Sequence, residues 1–103
     1  MTLFHLTTRA AWAEAQRSGS YRTSSLAAQG FIHLSTEQQW PRTQARFFAG
    51  RAALVLLVLD PAALTAEVRF EPADGDSFPH LYGPLNLDAV REVRDLPTVN
   101  AAP

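Results

Sequence analysis

The chain contains no cysteine and no lysine. Without thiols there is no disulfide framework, no thiolate nucleophile and no cysteine-ligated zinc or iron–sulfur centre. All nine cations are arginines, set against ten acidic residues for a net charge of −1. Such a balance offers no bulk positive field and excludes a nucleic-acid module that works by mass attraction. Two readings of the arginine usage stand: a GC-rich genome, which also fits the 17 alanines, or a site whose guanidinium forks hold phosphate or carboxylate. Long apolar runs are missing too. The longest, Ala52 to Leu59, is far too short to cross a bilayer. Met1 to His5 shows neither the basic start nor the apolar stretch of a secretory leader, so a soluble, cytoplasmic protein is expected.

What remains is ordinary globular material, 47% hydrophobic and 18% charged over 103 residues. A chain of this length buries roughly two thirds of its unfolded surface, enough for one core. One domain is expected over residues 1–97, with 98–103 as a flexible tail. Leu3, His5 and Thr7 alternate with Phe4 and Leu6 as in a strand. Thr8 is placed to cap a helix over Arg9–Ser18, which Gly19 would close. Ser20–Gln29 reads as a loop and Gly30–Leu34 as a short strand. Ser35-Thr36-Glu37-Gln38 has the form of a capping box. Pro41, however, favours a turn followed by a helix over Pro41–Ala49 that Gly50 ends. Leu54–Leu59 reads as a central strand covered on both faces, and Glu67–Glu71 as a strand with alternating faces. Asp74-Gly75-Asp76 reads as a turn without the remaining ligands of a calcium loop. Phe78–Leu85 is extended but broken by Pro79 and Pro84, as suits an edge or an active-site lip. Val90–Leu96 reads as a strand or a short helix, with a strand after a turn at Leu87–Ala89 favoured. The expected class is α+β, a small, split, bent mixed sheet of about five or six strands with two main helices.

The three histidines share a pattern: His5-Leu6-Thr7, His33-Leu34-Ser35 and His80-Leu81-Tyr82. On a strand, residues two apart share a face, so each imidazole stands beside a hydroxyl while leucine points to the other side. Several readings compete for such a patch. The rings can be structural, each satisfied by a neighbouring hydroxyl or carbonyl. Three imidazoles can hold zinc, but no pair has the close local spacing such sites often use, and no metal is expected. A serine nucleophile would need an elbow of the G-x-S-x-G kind, which is missing. Dinucleotide and phosphate loops of the glycine-rich types are missing as well. The remaining reading is a pocket for a hydroxyl-rich anionic small molecule, with Tyr82 or Trp40 as a stacking face.

These residues also carry a resemblance. Gly30-Phe31-Ile32-His33-Leu34-Ser35, Leu56-Leu57-Val58-Leu59-Asp60, Val68-Arg69-Phe70-Glu71 and Phe78-Pro79-His80-Leu81-Tyr82-Gly83-Pro84-Leu85 resemble the small bacterial family called domain of unknown function 952. The resemblance covers nearly the whole chain and implies a fold similar to a minimal ADP-ribosyltransferase (PARP-like) catalytic core. Through it His5 and Thr7 would face an adenosine ribose and His33 a nicotinamide-side ribose. His80 stands where the catalytic Glu of that superfamily would be, and Leu6 replaces a Gly that would receive the nicotinamide amide. Without a carboxylate there, an oxocarbenium-like transition state loses its stabilising charge. Glu71 on the preceding strand is the candidate to supply it.

The expected site therefore comprises His33, His80 and Glu71 as candidate catalytic groups, with His5, Thr7, Arg9, Arg22, Ser35 and Tyr82 as ligand contacts. His33 and His80 are the acid–base candidates because imidazole exchanges protons near neutral pH. The expected partner is a nucleotide-like small molecule such as NAD, ADP-ribose or a phosphoribosyl compound. An NAD-like nucleotide is the one cofactor class suggested. Neither bulk nucleic acid nor a membrane is expected to bind, and the chain should be a monomer or weak homodimer. The alternative is a non-enzymatic binding or interaction domain whose histidines are structural.

Overall fold

Leu54–Leu59 has no polar side chain, and all six residues are buried as strand β4. That burial follows from position: β4 is the middle of an antiparallel sheet, between β1 (Leu3–Thr8) and β8 (Val90–Leu96). One face carries Val55, Leu57 and Leu59 into the larger core together with Leu3. The other sends Leu56 and Val58 against Phe4 and Leu6, where Trp40 and Phe48 cover them. In this computed structural model residues 1–100 are described. Helices α1 (Arg9–Ser18), α2 (Ser24–Gln29) and α3 (Trp40–Phe47) accompany the strands β2 (Ser20–Tyr21), β3 (Ile32–His33), β5 (Glu67–Ala73), β6 (Asp76–Tyr82) and β7 (Leu85–Asn86). Single 3₁₀ turns fall at Pro61–Ala63 and Leu87–Ala89.

A second antiparallel sheet has the order β3-β6-β5, and β2 pairs with β7 alone. The two larger sheets meet through the segment after β3: Phe4 N–H donates to Ser35 O and Ser35 N–H to Phe4 O, both at 2.8 Å. The chain from Ile32 to Ser35 thus passes from β6 on one side to β1 on the other, which brings His33 close to the strand that carries His5.

The α+β class and the α1 boundaries follow the sequence expectation. Thr8 Oγ1 accepts from Ala11 N–H at 3.0 Å, and Gly19 closes the helix with φ +89°. Elsewhere the element count differs, with three α-helices and eight strands among the described residues. Ser20–Gln29 is not a loop. Thr23 caps α2 by accepting from Leu26 N–H at 3.3 Å, and Gly30 ends it at φ +90°. Ser35 caps no helix. Gln39 accepts from Thr36 N–H at 3.0 Å, while its amide donates to Asp76 Oδ2 at 3.0 Å and to Ser77 O at 2.8 Å. The start of α3 is thereby tied to β6, and Pro41 sits in the first turn, where its missing N–H is not needed.

Pro79 is the other departure, because β6 is a central strand and not an edge. In an antiparallel ladder a residue's N and O point the same way. Pro79 O accepts from Leu34 N–H at 3.0 Å, so its missing donor faces the point where β3 has already ended. Tyr82 is followed by Gly83, where a Cβ would lie 2.7 Å from Ala66 Cβ; that close approach requires glycine. The tail expected over 98–103 is tied at Val99, whose carbonyl accepts from Gly50 N–H at 2.7 Å; its remainder, 101–103, lies outside the described residues. Among the described residues no helix is long and apolar enough to cross a membrane.

Candidate functional site

The leucine of each His-Leu-hydroxyl segment is buried: Leu6, Leu34 and Leu81 are 6%, 1% and 0% exposed. Anchoring one side chain in a core directs its strand neighbours to the other face. The six polar residues so presented do not form one patch; they form two clusters that meet at His33.

The first cluster lines a cleft of about 530 Å³ between β1, β3, α2 and α3. His5, Thr7, His33 and Ser35 all lie on its wall, joined by Tyr21, Thr23, Ser24, Ser25 and Thr43. His5 is buried, and its Nδ1–H donates to the main-chain carbonyl of His33 at 2.6 Å. Its Nε2 lies 2.8 Å from the Tyr21 hydroxyl, which is also 2.8 Å from Thr7 Oγ1. Tyr21 therefore has one proton and two acceptors for it. Burial pushes the His5 pKa down to about 4, so the ring is neutral at pH 7, with its proton on Nδ1. Burial likewise raises the Tyr21 phenol. Tyr21 is the member of this network that sequence reasoning missed. It lies in a Ser/Ala-rich stretch outside the histidine pattern, and no spacing marks it.

His33 is the exposed imidazole of the cleft. Its Nε2–H donates to Gln29 Oε1 at 3.1 Å, leaving Nδ1 as a free lone pair. Partial burial and then the nearby His80 lower its pKa, against an opposing pull from Asp74. The Ser35 hydroxyl has no hydrogen-bond partner among the described residues.

The second cluster lies on the β3-β6-β5 sheet. His33, His80 and Arg69 stand opposite one another in register, and the His33 and His80 rings meet edge to face at 5.3 Å. His80 Nδ1–H donates to Glu71 Oε1 at 2.8 Å, and the Tyr82 hydroxyl donates to the same oxygen. These two donors, Tyr82 first, hold the Glu71 carboxyl below its usual range, while Glu71 raises the Tyr82 phenol. Phe31 stacks on His80 with ring centres 4.0 Å apart. The buried Nε2 of His80 has no partner among the described residues. Glu71, His80 and Tyr82 thus form one hydrogen-bonded unit, but none of them lines the cleft.

The two arginines expected to contact ligand lie elsewhere. Arg9 forms an ion pair with Asp95 at 2.7 Å, and Arg22 borders a small hollow beside α1 and β2. Arg51 is the cation on the cleft wall. Trp40 is not a stacking face for the cleft; it packs in the second core, 6.4 Å from Phe4. Among the described residues no three His, Asp or Glu side chains gather in a metal-holding group.

Fold and site together define a small antiparallel α+β protein with a hydroxyl- and imidazole-lined cleft. The chain belongs to the family described as protein of unknown function (DUF952), whose model matches residues 6–93. It is similar to protein CC0527 from Caulobacter crescentus. The crystal structure of that protein aligns with a TM-score of 0.86 at 35% identity, covering 94% of this chain and 87% of that one. Its solution NMR structure aligns with a TM-score of 0.79 at 36% identity, covering 92% and 84%. No curated protein matches the chain.

Proposed function

We propose that the protein binds a nucleotide-like small molecule, of the NAD, ADP-ribose or phosphoribosyl class, in the cleft between His5 and His33. The observation that carries this reading is the wall itself: two imidazoles and a row of Ser and Thr hydroxyls, set among apolar side chains such as Leu34, Phe48 and Phe78, on a cavity of about 530 Å³, a size suited to a small ligand. Sugar hydroxyls both donate and accept, and the uncommitted Nδ1 of His33 together with the wall's hydroxyls meets both needs. His5, locked at both nitrogens, positions Tyr21 and Thr7. His33, with a free Nδ1, is the cleft group able to take a proton. The His80 ring, bonded to Glu71, meets the His33 ring edge to face.

The same reading includes an ADP-ribosyltransferase-like fold. Its support is the pair of antiparallel sheets joined through β3, with one histidine on the first strand and another on the joining segment. The carboxylate nearest the expected catalytic position is Glu71, which is bonded to His80 and stands off the cleft. Recognition of the ribose-bearing ligand, and not ADP-ribosyl transfer, is therefore the proposed activity.

Calorimetric titration with NAD, ADP-ribose and a 2′-phosphorylated nucleotide checks this reading. A Ser35→Ala variant is expected to weaken the binding of at least one of them about tenfold, as loss of one ligand hydrogen bond implies. Its thermal stability should stay unchanged, because the Ser35 hydroxyl has no partner among the described residues. Equal affinity in the variant would remove Ser35 from the site.

A further inference from the structure

We infer that Arg51 is the phosphate-recognising residue of the cleft, so that its ligand class is a nucleoside phosphate and not a neutral nucleoside; this rests on the cleft reading above. Arg51 is the one cation among the cleft-lining residues. Most other arginines face a carboxylate within 4 Å, as Arg9, Arg42 and Arg91 do; among the described residues Arg51 faces none. A guanidinium with its fork unspent can take two phosphate oxygens at once. The one carboxylate on the same wall, Asp74, is answered by Arg46 at 3.6 Å, which limits its repulsion of an incoming anion.

The loop that carries Arg51 is held in place before any ligand arrives. Gly50 N–H donates to Val99 O at 2.7 Å, Arg51 N–H to Phe48 O at 3.1 Å, and Arg9 N–H to Ala53 O at 2.8 Å. Ala53 adopts φ +57°, a left-handed conformation that an alanine takes only when its surroundings enforce it. The guanidinium lies 5.4 Å from the centre of the Phe48 ring, a cation–π contact that limits where the side chain can go. Fixing backbone and stem in advance reduces the ordering cost of binding. The exposed Phe47 ring lies on the same wall, with the Arg46 guanidinium 5.3 Å from its centre.

Adenosine, adenosine 5′-monophosphate and adenosine 2′-monophosphate are the probes, titrated into wild type, Arg51→Gln and Arg51→Lys. In wild type one monophosphate should bind about tenfold or more tighter than adenosine, the gain expected of a charge-assisted phosphate contact. In Arg51→Gln that ratio should fall to near one through loss of monophosphate affinity; Arg51→Lys should keep part of it. Equal wild-type affinity for adenosine and both monophosphates, or a ratio that survives Arg51→Gln, overturns the assignment of Arg51 and leaves the cleft standing. If none of the three probes binds, the cleft reading falls together with it.

Discussion

Acidification from pH 6.5 to pH 4 is expected to remove roughly 3 kcal/mol of stability through His5 alone, the equivalent of lowering an imidazole pKa from 6.5 to about 4. In the unfolded chain the ring binds a proton as pH falls through its ordinary value. In the folded chain burial resists that charge until about pH 4. Between those values the unfolded state holds more protons, so stability falls with pH, and the full contribution is present only above pH 6.5. His33 is shifted in the same direction and steepens the loss. Asp60, Glu71, Asp76 and Glu92 are also held below their usual values. Their contributions disappear at lower pH, in the carboxylate range, so the slope from 6.5 to 5 belongs to imidazole. Urea unfolding across this range checks it. The wild type should weaken steadily, and a His5→Asn variant should lose most of the slope; an equal slope in the variant would place the titration elsewhere.

Leu81→Ala is expected to cost about 2–5 kcal/mol, the range for truncating a fully buried leucine, and to lower the melting temperature by about 10 °C or more in a domain of this size. Leu81 is 0% exposed and lies in the larger core with Ile32 and Leu34. It is also the anchor that turns His80 and Tyr82 to the opposite face of β6, so the loss should loosen the Glu71 contacts as well as the core. Thermal unfolding measures the first effect, and the His80 ring resonance the second. A melting temperature within a few degrees of wild type would mean that the strand is held by something other than this side chain.

The histidine pattern shows which parts of the fold and site could be read in advance. His-Leu-hydroxyl on a strand specifies a face, because strand periodicity is local, and the burial of Leu6, Leu34 and Leu81 follows from it. The Thr8 cap, α1 and the central place of β4 were legible for the same reason: caps and continuous apolar runs act within a few residues. Which faces point at the same space is set by long-range pairing, and there local signals stop. The bridge between Phe4 and Ser35 brings His33 toward His5. The β3–β6 pairing brings His80 toward His33 but turns it off the cleft. Short elements such as α2 and β2 are fixed by tertiary contacts, so Tyr21 entered the His5 network unannounced. Where each arginine side chain lies is settled by the same long-range pairing. Arg9 was close in sequence to His5, yet its side chain leaves toward Asp95, whereas Arg51 arrives from a distant loop.

The ring resonances of the three histidines report directly on occupancy of the cleft as NAD, ADP-ribose or a 2′-phosphorylated nucleotide is added. His33, exposed on the cleft wall, should shift most with at least one of these ligands. His5 should follow through Tyr21 and the His33 carbonyl, and His80 should move least. If none of the three rings responds at millimolar ligand, the cleft is not a nucleotide site and the histidines are structural.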